Sequence, residues 1–565
     1  MSKHLQDELL ASSDRVTTNT NYGIVTGGRA ENGAKVFLEI PYALPPIRFQ
    51  DPQPLPSSYR YEAKEYIYES SYCAQPTNDG QAAGTSLEVI CCKRVKPKYG
   101  ICKGVPVEDK LGRGKPTENP LFLNIVTPPT TSSDSRFPVK VYIHGGFLQF
   151  GSPHGLSSQA QYVSVERSEV WVNIGYRLSV FGFLACDEPQ VSGNFGFKDQ
   201  WLALLWIKKN IAAFGGDPDN IQITGLSAGA HSVHQLLHHA SRLQDGVSAP
   251  FHSAILQSNA IVYVHPSLNI TKSLVMTYLL HSISPKTPTE LRSQFQAFCR
   301  ALNLDPTSSD VLSKLRNPDE VPWSTMTSAI DTDAFGTQYG TFRGCLEGDW
   351  LKSDPMEWQR SGGFSRALKA KGVRSIIVGD LTEEWYLYSI AHPVSKMGDI
   401  ELNLERYYQD DMIKKIMALY KTLPAGAPEP EVKRLMGDIL SDGQVHIPVR
   451  ILGRDLINTG FPVLRYEIQW TPEQNRPFGY VTHATDRALW ALRIPALQAD
   501  QVSVALAWLD TIASEVKKVE QGNQRSYQDI LALKTDRSIG WIVDEQWDRK
   551  MELAGVLPGE ANGDT

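Results

Sequence analysis

From residue 121 onward, short apolar runs alternate with longer amphipathic stretches. Val139 to Ile143 is one such run and ends on His144-Gly145-Gly146. Val170 to Asn173 is another, and Ile221 and Ile223 belong to a third that stops at Leu226. Ala254 to Leu256, Ser375 to Val378 and Val463 to Ile468 continue the series. These compact runs predict strands. Residues 199–213 repeat apolar positions at helical spacing and predict a helix, with Leu202, Leu205, Trp206 and Ile211 near one face. Strands alternating with helices imply an α/β fold: a mostly parallel sheet covered on both faces. Residues 262–370 are mixed and helical, and read as a cap-like insertion into that fold.

The pattern before residue 121 is weaker. Residues 1–20 read as a polar lead, and residues 22–70 hold short strand-like runs such as Val36 to Ile40, broken by Pro41, Pro45 and Pro46. Residues 74–120 form a Gly/Pro/Lys-rich stretch read as one large loop, a length usually kept for function or disorder. There is no internal repeat. The domain reading is a polar lead (1–20), one catalytic domain (21–555) and a polar tail (556–565).

Composition narrows the classes. The chain has 565 residues, 41% hydrophobic and 21% charged, which is ordinary for a globular protein with room for an enclosed pocket. A net charge of −6 gives no global pull toward nucleic acid. No apolar run is long enough for a membrane span, and residues 1–20 lack the apolar stretch of a secretory signal, so a cytoplasmic location is expected. The sequon Asn269-Ile270-Thr271 then reads as coincidence. Seven cysteines are present: Cys73, Cys91, Cys92 and Cys102 cluster, while Cys186, Cys299 and Cys345 are scattered. In a reducing compartment these are expected as free, mostly buried thiols. No paired CxxC spacing supports zinc.

Gly225-Leu226-Ser227-Ala228-Gly229 is a G-x-S-x-G pentapeptide. Alone it is weak, since chance supplies one in roughly every four or five chains of this length. Here it sits where a predicted strand turns into a helix, as a nucleophile elbow requires. Upstream, His144-Gly145-Gly146-Phe147 also follows a strand. Glycines there let backbone N–H groups approach a substrate oxyanion. A serine nucleophile needs a base, and the base needs an orienting acid. His483 lies in a loop after the last strong predicted strand, and Asp380, Glu383 and Glu384 follow the preceding one. His231, His234 and His238 share one helix face and read as surface or core contacts, because a metal site there would lack carboxylates.

These stretches together resemble the type-B carboxylesterase (cholinesterase-like) family, particularly its fungal-type intracellular members. The resemblance runs from Tyr22 to about Leu492. It rests on IPYALPP at 40–46, ENPLFLNIVTP at 118–128 and GNFGFKDQWLALLWIKKNIAAFGGDPDNIQITGLSAGA at 193–230. It implies the α/β-hydrolase fold, a deep active-site gorge and no cofactor. It assigns the nucleophile to Ser227, the acid to Glu384 and the base to His483. The oxyanion donors fall on the N–H groups of Gly146, Phe147 and Ala228, with Gly145 supporting the turn. Three positions depart from the family pattern. Phe147 replaces a third glycine. Leu226 replaces a glutamate before the serine, in a position expected to meet substrate. Pro120 replaces the cysteine that would pair with Cys73.

The implied activity is a serine carboxylic-ester hydrolase working through an acyl-enzyme on small neutral or anionic esters or lactones. Leu226 suits an uncharged pocket better than a choline site. The stretch between Cys73 and Pro120 holds Tyr99 as its only aromatic residue, beside Lys93, Arg94, Lys96, Lys98, Lys103, Lys110, Arg113 and Lys115. Two other readings stand beside this one. The same serine would serve an acyltransferase or lactone-forming enzyme of secondary metabolism. A non-catalytic binding protein would show a broken triad, whereas all three positions are filled here. Of the acids after residue 378, replacing Glu384 by its amide is expected to impair kcat severely, Glu383 mildly and Asp380 least.

Overall fold

A computed structural model describes residues 3–77, 107–131, 134–261, 285–336, 339–391, 394–404, 410–424, 426–556 and 560. Strands β1 (Arg15–Thr20), β2 (Gly23–Arg29) and β3 (Lys35–Pro41) open the fold. The short β4 (Ser71–Cys73) and β5 (Lys115–Thr117) pair with each other apart from the main sheet. Then come β6 (Phe122–Thr127), β7 (Phe137–Ile143), β8 (Val170–Ile174), β9 (Gly216–Leu226) and β10 (Ser253–Gln257). The last four are β11 (Ser375–Leu381), β12 (Val463–Ile468), β13 (Asp529–Leu533) and β14 (Ile539–Val543).

The 12-stranded sheet has the order β1-β2-β3-β6-β8-β7-β9-β10-β11-β12-β13-β14. Every pair from β8 to β13 is parallel, and both outer parts are antiparallel. Parallel strands covered on both faces have no polar side to spare, which is why β8, β10 and β11 are buried throughout. Strand alternation divides their side chains between two cores. Val141, Ile223, Leu256 and Val378 point to the main core, against the Ala228–Ser241 helix. Tyr142, Leu226, Ile255 and Ile377 point to the reverse side, toward the Ala499–Glu520 helix and its Trp508.

Several sequence expectations change. The helix expected at 199–213 is Phe195–Asn210, followed by a 3-10 turn at Ile211–Phe214. Its buried stripe is Ala203, Trp206, Ile207 and Asn210, whereas Leu205 is 45% exposed. The polar lead is ordered: Leu5–Ala11 is helical with Leu5 and Leu9 buried, and β1 joins the sheet. The large loop at 74–120 contains the Val107–Leu111 helix and β5. His483 follows β12, but β13 and β14 extend the sheet beyond it.

In the region read as a cap, the described residues hold five α-helices between Pro288 and Ala370, and further helices, from Trp385–Ala391 to Ile447–Asn458, lie between β11 and β12. In the C-terminal stretch, Glu560 pairs with Arg360 and Arg454. No helix among the described residues is long and apolar enough to cross a membrane. Cys73, Cys186, Cys299 and Cys345 are free and buried. Cys91, Cys92, Cys102 and the sequon at Asn269 lie outside the described residues, as does most of the lysine-rich stretch.

Candidate active site

Three parallel strands end at the same rim of the sheet and deliver the three expected side chains. Ser227 follows β9, Glu384 follows β11 and His483 follows β12. In open α/β sheets, ligands bind beyond these carboxyl ends.

Ser227 has φ 59° and ψ −128°, a conformation rarely adopted by a non-glycine residue. The surrounding main chain imposes it. A Cβ on Gly225 would lie 2.2 Å from Gly229, and a Cβ on Gly229 would lie 2.1 Å from the Ile143 carbonyl oxygen. Only glycine at both positions lets β9 turn back so tightly into its helix. The Ser227 N–H donates to the Gln257 carbonyl at 2.9 Å, pinning the turn to β10. Ser227 occupies the N-cap of the Ala228–Ser241 helix, yet its hydroxyl does not cap it. The oxygen is therefore free for other chemistry.

The His144 loop lies against this elbow. A Cβ on Gly145 would meet the Leu226 carbonyl oxygen at 2.6 Å and the Ser227 Cβ at 3.0 Å. Gly146 has φ 109°, and Phe147 follows with φ 54°. His144 stacks on Tyr176 and is held near neutrality by burial, with its pKa lowered to about 4. Gln149 donates to the carbonyls of Phe147 at 2.9 Å and Phe342 at 2.6 Å, tying the loop to the irregular segment between the Trp323–Asp331 and Pro355–Arg360 helices. Gln75 accepts from the Gly151 N–H at 2.7 Å. Among the described residues, no carbonyl accepts from the N–H groups of Gly146, Phe147 or Ala228.

Glu384 is fully buried, and its Oε2 lies 2.7 Å from His483 Nδ1. Its Oε1 accepts from the Leu381 N–H at 3.3 Å. The other imidazole nitrogen, Nε2, is buried with no hydrogen-bond partner. Burial opposes protonation of His483, but the charge and hydrogen bond of Glu384 outweigh it and raise the pKa above 6.5. Glu383 turns the other way and accepts from the Val481 N–H at 2.7 Å, which fixes the acid loop to the histidine loop.

Asp380 has a buried partner set of its own, apart from Glu384 and His483. It is buried, 2.7 Å from His446 Nδ1 and 3.3 Å from Arg450. Burial alone would raise its pKa, but the His446 contact and the charge of Arg450 hold it below the ordinary carboxylate value. Asp486, unmarked in the sequence reading, is also fully buried. Burial, then the charge of Glu384, push its carboxyl up to about 6. Its Oδ2 accepts from Trp490 Nε1 at 2.9 Å, while Oδ1 has no partner. Leu226 also departs from expectation. Strand alternation sends it to the reverse-side core with Tyr142, Ile255 and Trp490, leaving it 6% exposed. It lines that core rather than an open substrate cavity.

His231, His234 and His238 are core contacts. His234 bonds to Gln359 and to the Ile261 N–H, and His238 stacks on Phe364. Burial lowers the pKa of His231 and His234 to about 3. Among the described residues, no cluster of His, Cys, Asp and Glu has the arrangement of a metal site.

The sequence profile of the carboxylesterase family matches residues 13–505. An uncharacterised esterase/lipase of Schizosaccharomyces pombe is 28% identical over 561 residues, covering 94% of both chains. Lipase 2 of Geotrichum candidum is 28% identical over 79% of this chain and 78% of its own. Among solved structures, a PNB esterase superposes with a TM-score of 0.67 at 22% identity, covering 96% of this chain and 100% of its own, which fits an α/β-hydrolase fold. The chain belongs to the carboxylesterase family and is a carboxylic-ester hydrolase of the serine-hydrolase class.

Proposed function

We propose that Ser227, His483 and Glu384 hydrolyse small carboxylic esters or lactones through an acyl-enzyme. The observation that carries this reading is the buried Glu384–His483 pair, whose second imidazole nitrogen has no partner, on the same rim as an elbow serine whose hydroxyl caps nothing. His483 Nε2 takes the Ser227 proton as the hydroxyl attacks the ester carbonyl. Glu384 holds Nδ1–H toward itself and stabilises the imidazolium. The N–H groups of Gly146, Phe147 and Ala228 receive the oxyanion, aided by the N-terminus of the Ala228–Ser241 helix. The imidazolium then protonates the leaving alcohol. Water, activated by the same histidine, releases the acid. Four buried free thiols support a reducing, cytoplasmic setting.

Ser227→Ala tests the mechanism. Turnover should fall by about 10⁴ to 10⁶ in kcat, and organophosphonate labelling should vanish. A variant that still hydrolyses esters near the wild-type rate overturns it.

The proposed substrates are neutral or anionic. The stretch between Cys73 and Pro120 has Tyr99 as its only aromatic residue, so it supplies no tryptophan or phenylalanine to cage a quaternary ammonium. A desolvated cation–π contact contributes about 2 kcal/mol, so its loss costs a quaternary-ammonium ester roughly thirtyfold. kcat/KM for a choline ester should fall below that of its neutral carbon isostere. The opposite order overturns this preference.

A further inference from the structure

The reverse side of the sheet holds a cavity of about 350 Å³, roofed by the Ala499–Glu520 helix and floored by β7 to β11. None of the proposed triad lines it. Its volume falls at the small end of ligand pockets. Ile255, Trp490, Leu509 and Ile512 give it an apolar wall.

Its polar groups are left incomplete. Gln257 lines the cavity and is fully buried, yet neither its Oε1 nor its Nε2 has a partner. Strand alternation puts this side chain on the same face as Ser253 and Ile255, which also line the cavity. Arg487, likewise buried, leaves its Nε unpartnered while its Nη2 donates only to the Ser157 carbonyl. Buried polar groups are normally satisfied, and two exceptions in one cavity call for an occupant.

Charge fixes the sign of that occupant. Of the two acids lining the cavity, Glu169 lies near Lys140 and Arg167, and Glu520 accepts from the Ser375 hydroxyl. Arg374 bonds to the neutral Asn220 side chain, and Lys517 adds a further cation at the mouth. The balance is cationic, with an amide that needs both a donor and an acceptor.

We propose that this cavity binds a medium-chain hydroxycarboxylate, an acid with an apolar body of about ten carbons. The carboxylate accepts from Arg487 and from Gln257 Nε2, the hydroxyl donates to Gln257 Oε1, and the chain lies along the apolar wall. The cavity touches both halves of the proposed catalytic centre. The Gln257 carbonyl holds the Ser227 N–H, and Trp490, in the wall, holds Asp486 three residues after His483. Occupancy is thereby felt at the serine, a consequence that rests on the proposed role of Ser227.

Titration calorimetry of the full chain with 3-hydroxydecanoate tests this. Decanoate, decanol and decyltrimethylammonium serve as comparison probes. Three proteins are measured beside the wild type: Ala513→Trp, which fills the cavity from a partly exposed helix face, Gln257→Leu, and wild type labelled by an organophosphonate. One equivalent of 3-hydroxydecanoate should bind, more tightly than decanoate, with the alcohol and the cation weakest. Affinity should fall at least about tenfold in both variants and persist in the labelled protein. Melting curves establish that each variant is folded, and Gln257→Leu decides the question if Ala513→Trp is not. Absence of binding, binding unchanged in a folded variant, or binding lost on labelling alone would each overturn the proposal. If no label attaches to Ser227, the hydrolytic mechanism fails, and the two variants still decide the second site.

Discussion

Two carboxylate–histidine pairs leave the end of β11, each with a 2.7 Å contact to Nδ1, and they do opposite things. Asp380 meets His446 with Arg450 beside it, and Arg450 continues to Asp544 and Arg465. Negative charge there is met by two arginines, Arg450 and Arg465. Glu384 meets His483 with no arginine or lysine paired to it among the described residues, and a further acid, Asp486, acts on the same histidine. The first pair is neutralised and locked into the fold. The second keeps unbalanced negative charge beside an imidazole whose far nitrogen is unoccupied. A short contact between an acid and a histidine is therefore no mark of catalysis. What separates the two is the charge around the acid.

The contrast predicts different failures for the two acids. Glu384→Gln should lower kcat by about 10³ to 10⁴ while leaving the melting transition nearly unchanged, because an amide still fills the site but stabilises no imidazolium. Asp380→Asn should do the reverse. Leaving Arg450 and His446 without their carboxylate costs about 3–5 kcal/mol of stability, read by denaturant titration. If Asp380→Asn were the dead but stable enzyme, the roles would be exchanged.

The pH profile sharpens the difference. In the proposed mechanism His483 must be neutral to accept the Ser227 proton, and its pKa is raised above 6.5. kcat/KM should therefore rise with pH through a midpoint above 6.5. Asp486→Asn removes a negative charge that favours the imidazolium, so the acid limb should move to lower pH. A limb that stays in place would remove Asp486 from the circuit. The smallest effect belongs to Glu383→Gln. The amide oxygen can still accept from Val481, so kcat should change by less than about tenfold.

Local geometry was the most legible part of the sequence. Gly225 and Gly229 are four residues apart because two segments cross there, and such contacts are written in adjacent residues. The two faces of β9 and β10 were equally readable once alternation was applied, yet the direction of Leu226 was missed because a family position was read without its strand parity. Asp380 was undervalued because its partners lie 66 and 70 residues further along the chain, and nothing near it announces them. β13 and β14 are five residues each, as β8 and β10 are, but no residue of β14 is fully buried and Gly540 interrupts it, so that hairpin offers neither alternation nor a continuous apolar run. Asp486 and Gln257 carry no local signal at all. Their significance lies in polar atoms left without partners, which only three-dimensional placement discloses.

The elbow also bears on how such a protein could change its trade. The left-handed posture of residue 227 is dictated by main-chain contacts of Gly225, Gly229 and Gln257 rather than by the serine itself. Whatever small side chain stands there is presented at the same spot. A descendant could lose its hydroxyl in one substitution and keep the scaffold whole, free to serve as a receptor for the molecules it once cleaved. It could regain the hydroxyl just as easily. Replacing either glycine would instead dismantle the mounting, so the glycines should outlast the serine in any lineage that abandons chemistry.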